Sequence, residues 1–129
     1  MVSIHNTQKY HNYLYDFPEQ QFIMIQGSIL SFLKENEPHY HNQIMNDFSL
    51  KTKLNGSKEF TLFVPINSKE ISLHDYLFSG MIRLDNTDKI IQNINNNRSY
   101  TTTNKSIDQT EIVISNIQCE GGMIHLINL

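Results

Sequence analysis

Six histidines and a single cysteine are the residues of this 129-residue chain best suited to ligate a metal or attack a substrate. His39 and His41 stand two apart in "PHYH". On a strand that spacing puts both on one face, as one ion requires, whereas on a helix it splays them about 200° apart. The surrounding "EPHYHNQIMNDF" has Pro38 at a first-turn position and Tyr40, Ile44, Met45 and Phe48 spaced to line one side, so a helix is expected and both histidines read as surface residues. Cys119, being alone, excludes an internal disulfide and the paired thiols of zinc or redox motifs. Cys119 and His125 would lie about 20 Å apart on a continuous strand. The intervening "EGG" permits a turn that would return one towards the other as a nucleophilic dyad. The competing reading, preferred here, makes Cys119 a half-buried small residue and His125 a buried imidazole hydrogen-bonded to backbone. No Gly-rich phosphate loop, G-x-S-x-G or H-E-x-x-H is present. No residue is therefore assigned to catalysis, cofactor or metal, and a non-enzymatic role is expected.

Contact chemistry has a better candidate in "DYLFSGMI", residues 75–82. Tyr76 and Phe78 beside a glycine turn offer rigid aromatic area of the kind that interaction sites use, and Asp75 next to them is the third candidate contact residue. The alternative places both aromatics in the core at the end of a short helix, and the residues alone leave the two open.

The elements that must position these groups follow from periodicity. Phe22 to Ile25 read as a short buried strand, and Ile29, Leu30, Phe32 and Leu33 fit a helix face capped by Ser28. "LNGSKE" is a turn in which Asn-Gly tolerates positive φ. "FTLFVPIN" then forms a strand with Phe60, Leu62 and Val64 on one face and Thr61 and Phe63 on the other. Being apolar on both sides, it belongs inside the fold, and Pro65 ends it. Asn67 and Glu70 resemble a capping box opening a short helix that Gly80 terminates. "SYTTTN", "EIVISNI" with Ile112, Ile114 and Ile117, and "MIHLINL" read as strands. Helices first and strands later predict an α+β fold. Residues 1–18 read as an N-terminal extension closed by Pro18, and residues 19–129 as one domain.

Composition narrows the classes further. Hydrophobic residues make up 39% and charged residues 18%, the range of a polar-coated globular chain. The formal charge is −3 and the ten basic residues are scattered, so the electrostatic footprint of a nucleic-acid binder is missing. No apolar run is long enough for a membrane span, and "MVSIHNTQKYHNYLYDF" lacks the regions of a signal peptide. A cytoplasmic or particle-associated location is the expectation on those grounds. Sequons at Asn55, Asn97 and Asn104 arise easily in a chain with fifteen asparagines and decide nothing about export. The absence of alanine beside abundant Ile and Asn points to an AT-rich genome, a virus among the possible sources.

Two segments carry a family resemblance. "FTLFVPIN" resembles the first signature of the fasciclin (FAS1) domain, an aromatic-threonine-apolar strand leading into Pro-Thr-Asn or Pro-Thr-Asp, through Thr61, Phe63, Pro65 and Asn67. "IQCEGGMIHLINL" is similar to its second, a strand, a small-residue turn and an apolar-Ile-His-apolar-Ile strand, through Gly122, Ile124 and His125. "LFSGMI" sits where the family has its Pro-Gly segment, with Gly80 matching and Ser79 in place of proline. Asp75-Tyr76 align with the family's Tyr-His pair, which is implicated in receptor contact.

The resemblance spans about residues 27–129 and implies a compact FAS1-like β-sandwich or wedge with N-terminal helices packed against it, shortened between the first signature and Gly80. It implies an adhesion or protein-interaction module without chemistry of its own, in a family whose members usually work outside cells. A self-associating structural component, such as a virion or surface-layer subunit, and a small-ligand-binding domain are the alternatives.

Overall fold

A computed structural model describes residues 23–67 and 70–129. The expected extension, residues 1–18, lies outside the described residues, as does Phe22. The described chain is α+β. Strand β1 (Ile23–Met24) precedes helices α1 (Ile29–Asn36), α2 (Pro38–Met45) and α3 (Phe48–Asn55). Strand β2 (Phe60–Pro65), a 3₁₀ turn (Leu73–Tyr76) and β3 (Leu77–Ser79) follow. The chain ends in β4 (Lys89–Gln92), β5 (Ser99–Thr102), β6 (Ser106–Ile107), β7 (Thr110–Cys119) and β8 (Gly122–Asn128).

Each helix starts where a capping side chain or a proline deals with its first free N–H groups. The Ser28 hydroxyl accepts from Ser31 N–H at 3.2 Å, as its cap position predicts. Pro38 opens α2, where its missing N–H costs nothing. The Asp47 carboxylate caps α3, accepting from Leu50 N–H at 3.1 Å and meeting His74 Nε2 at 2.7 Å. The sequence reading had no third helix. Phe48, expected on the buried side of α2, instead begins α3 and is 84% exposed. A new N-cap at Asp47 resets the helical phase, so the spacing that linked Phe48 to Tyr40 and Ile44 no longer applies. Asn55-Gly56 ends α3 without positive φ at either residue, so the expected turn geometry is not used.

Seven strands run in the order β3-β2-β8-β7-β6-β5-β4, and β1 pairs with β7 beside this path. At the centre β2 and β8 are parallel, with Leu62 opposite Ile124 and Val64 opposite Leu126. Pro65, at the last position of β2, pairs with Ile127 and ends the strand as expected. β2 is buried throughout, because both faces of the sheet are covered. One face packs Phe60, Leu62, Val64, Ile124 and Leu126 against Leu33, Tyr40, Ile44 and Leu50 of the helices. Burying such a side chain fully contributes about 1.5–3 kcal/mol, so this face is the chief anchor of the helical layer. The other face gathers Phe63, Phe78, Leu84, Tyr100, Ile107, Ile112 and Ile127.

β7 contributes to both faces because it is irregular. Its pairing with β8 shifts between Ile112 and Ile114 and again between Ile114 and Ile117. Each extra residue reverses the alternation, so Ile112 joins one core while Ile114 and Ile117 join the other. Asn116, at φ 61°, sits in the second shift.

The segment after Asn67 departs from expectation. No capping box forms: the Asn67 amide donates to the Leu129 carbonyl at 2.9 Å, and the Glu70 carboxylate lies 3.5 Å from His39 Nε2. The predicted helix through "SLHDYLF" is only the 3₁₀ turn, and Leu77 and Phe78 belong to β3. Gly80, at φ 84°, closes that strand rather than a helix. Tertiary pairing with β2 decides this, Thr61 standing opposite Phe78 and Leu62 opposite Leu77.

Candidate functional site

Far ends of the sheet meet edge to edge. Ile94 N–H, just past β4, donates to the Leu77 carbonyl of β3 at 3.0 Å. The Asp75 carbonyl accepts from the Tyr100 hydroxyl at 2.8 Å and from the Asn93 amide at 3.0 Å. These bonds bring the 3₁₀ turn beside β5 and leave an open cleft of about 630 Å³ between them. Tyr76, Arg98, Tyr100, Asp108, Gln109 and Thr110 are among its walls, with buried Ile107 beneath.

An aromatic row runs from the core to this cleft. His125 lies 4.8 Å from Phe63 between ring centroids, Phe63 5.3 Å from Phe78, Phe78 5.5 Å from Tyr100, and Tyr100 5.8 Å from Tyr76. The two contacts of Phe78 are edge-on, a packing that fixes ring orientation beyond what area burial achieves, and the two outer contacts are tilted. Arg98 closes the row, its guanidinium 4.6 Å from the Tyr100 centroid and 3.6 Å from the Asp108 carboxylate. Burial raises the pKa of both Tyr76 and Tyr100, so both rings carry neutral hydroxyls at physiological pH.

The loops that place these groups use conformations that favour Asn and Asp. Asn97 adopts φ 58° and Asp108 φ 51°. The Asn93 side-chain oxygen accepts from the N–H of Asn96 and of Arg98, both at 3.1 Å, and so shapes the β4–β5 turn that presents Arg98. Asp108 accepts from Thr101 N–H through its carboxylate at 2.9 Å and donates its own N–H to the Thr101 carbonyl at 2.7 Å.

Of the three proposed contact residues, Tyr76 lines the cleft. Asp75 holds the closure through its carbonyl and accepts from the Asn95 amide at 3.1 Å through its carboxylate. Phe78 is fully buried in the aromatic row and presents no surface to a partner, which corrects its inclusion. Arg98, Tyr100 and Asp108 were missed. "NNNRSY" and "SIDQT" are ordinary polar turns in one dimension, and only sheet closure brings them to Tyr76. The tolerance of Asn97 and Asp108 for positive φ was the one available signal.

The residues of the two signatures take internal positions. Thr61 is buried; its hydroxyl donates to the Gly80 carbonyl at 2.7 Å and accepts from Ile82 N–H at 2.8 Å, fastening the strap of residues 81–88 to β2. Gly122 lies under α1, where a Cβ would collide with Ile29 and stand 3.1 Å from the Phe60 carbonyl. Ile124 is in the helix-side core. His125 is buried: Nδ1 accepts from Asn116 N–H at 2.8 Å, so Nε2 carries the proton and donates to the Ile82 carbonyl at 2.8 Å. Burial pushes its pKa down to about 4.

Cys119 packs in the helix-side core and His125 against Phe63 on the other side of the sheet, so they form no dyad. Burial pushes the Cys119 thiol up to about 12, leaving it a packing group. His39 and His41 lie on α2, the geometry that keeps them from one ion. No cluster of three metal-capable side chains occurs among the described residues, and no described helix is long and apolar enough to cross a membrane. No known protein-family model matches the chain, and no curated protein matches it.

Proposed function

We propose that this chain is a short, divergent domain of the fasciclin type acting as a non-enzymatic interaction module, with the Tyr76–Arg98 cleft as its contact site. The observation that carries the reading is the parallel pairing of residues 60–65 with 122–127 in the middle of the sheet. The two segments that resemble the family's signatures are far apart in sequence, and their adjacency is what a shared scaffold requires. Supporting detail comes from Thr61, Gly122 and His125, each with a structural task that its residue type performs. The cleft suits contact because its aromatic and arginine side chains are held before any partner arrives.

Self-assembly, the competing role, would draw on exposed apolar surface. Among the described residues, Met24, Phe48 and Ile90 are the large exposed apolar ones, and they stand on three different elements, as isolated ones do on ordinary monomers. A photo-crosslinking amino acid at position 76, compared with one at exposed position 48, tests the reading in extract of the source organism. Capture of a protein from position 76 alone, reduced by Arg98→Ala, is expected. Crosslinks only to further copies of the chain, with oligomers in light scattering, would replace the module by a building block.

A further inference from the structure

We propose that the cleft binds a neutral saccharide, a ligand of one or two sugar rings. The inference rests on the cleft being the contact site and names what it contacts. Its volume, about 630 Å³, falls in the range of roughly 300–1,000 Å³ typical of small-molecule sites. It holds no unpaired cation: Arg98 is paired with Asp108 at 3.6 Å, and the Asp75 carboxylate on the neighbouring 3₁₀ turn leaves the surroundings slightly negative. An anion therefore gains no net field here, and the chain as a whole is itself at −3. An apolar ligand would have to strip water from Arg98, Asp108, Gln109 and Thr110 without replacing their hydrogen bonds, at a cost of about 1–3 kcal/mol for each group left unsatisfied.

A sugar meets both constraints. Its hydroxyls are donors and acceptors at once, and the guanidinium of Arg98, the carboxylate of Asp108 and the amide of Gln109 provide complementary pairs at the wall. Its C–H face can lie on an aromatic ring, the platform that Tyr76 provides where the aromatic row reaches the opening. Tyr76 is half-buried and lines the cleft, so part of its side chain is open to a ligand. A second feature points the same way. Among the described residues three non-glycines have positive φ: Asp108 lines this cleft and Asn97 immediately precedes its Arg98, and such backbone conformations gather where a site is preorganised.

The test is a titration of the full chain, followed by ¹H–¹⁵N spectra, with maltose, cellobiose, lactose and diacetylchitobiose, and with a sulfated disaccharide as the anionic arm. At least one neutral sugar should shift the amides of Arg98, Thr101 and residues 108–110 saturably, with the weak affinity usual for a small polar ligand, Kd on the order of 1 mM. Tyr76→Ala should weaken binding at least tenfold. Asp108→Asn, which keeps the size and the tolerance of positive φ, should do the same if the alanine variant does not fold.

The same sugar carried on a glycoprotein, before and after enzymatic release, distinguishes a displayed glycan from a free one, and either source supports the proposal. Shifts confined to other surfaces, a response to the sulfated sugar alone, or no response to any of them would overturn it. Continued crosslinking from position 76 would then leave the contact site standing without its sugar.

Discussion

At the scale of single residues, His125 shows how burial selects a protonation state. Backbone N–H of Asn116 points at Nδ1, so that nitrogen must present a lone pair. Protonating the ring would set two donors facing each other at 2.8 Å inside the core. The folded pKa is accordingly lowered from 6.5 to about 4, with desolvation the main cause. The unfolded chain therefore binds the extra proton first. The stabilisation is complete above the unfolded value and is lost as pH falls from about 6.5 towards 4, by about 3 kcal/mol in all. We expect the His125 ring signals to stay in the neutral form down to about pH 5 in an NMR titration, while the unfolding midpoint in urea declines over the same interval. A ring titrating near its unfolded value would show that the imidazole is solvated. That this histidine is internal was legible in "MIHLINL", because a single polar residue inside an apolar strand must find partners there. Its partner Asn116 was not legible, since it depends on a bulge that periodicity does not reveal.

At the scale of elements, the contact between α1 and β8 depends on a missing side chain. Ile29 occupies the space where a Cβ on Gly122 would lie, and the Phe60 carbonyl closes the opposite side. Gly122→Ala therefore has to push α1 away from the sheet or distort the β2–β8 ladder. We expect a loss of about 1–3 kcal/mol in chemical denaturation, the usual cost of overpacking a close contact. Ile29→Ala in the same chain should recover part of it, because it vacates the colliding atoms, and strictly additive losses would show that the contact is not shared. The sequence disclosed such elements unevenly. Ser28 and Pro38 announced α1 and α2, and the unbroken apolar run of β2 announced a central strand. Short β3 looked helical because Asn67 and Glu70 resemble a capping box and Gly80 a terminating glycine, and its strand identity comes from pairing with β2. β4 and β6 have four and two residues, too few for a period to emerge against polar surroundings.

At the scale of the molecule, the open question in any mixed sheet is what becomes of its free ends. Here β3 and the β4–β5 hairpin stand at opposite limits of the strand order, yet Ile94 donates to Leu77 and both Tyr100 and Asn93 donate to the Asp75 carbonyl. Four hydrogen bonds, one accepted by β3 and three by Asp75 of the 3₁₀ turn once Asn95 is counted, thus convert an open sheet into a nearly closed one beside the cleft. None involves β2 or β8, so the closure can open without unfolding the centre. Tyr100→Phe tests this with little loss of packing, since it removes only the hydroxyl from a buried ring. The Asp75 carbonyl keeps its bond from Asn93, so global stability should fall by only about 0.5–1.5 kcal/mol. Hydrogen exchange at the Ile94 amide should accelerate by a larger factor than that change alone produces, while amides of β2 and β8 follow global stability. Should Ile94 instead exchange in step with the central strands, closure and core would be a single cooperative unit. The cleft would then be a rigid feature of the fold rather than a mouth that opens at the edge of the sheet.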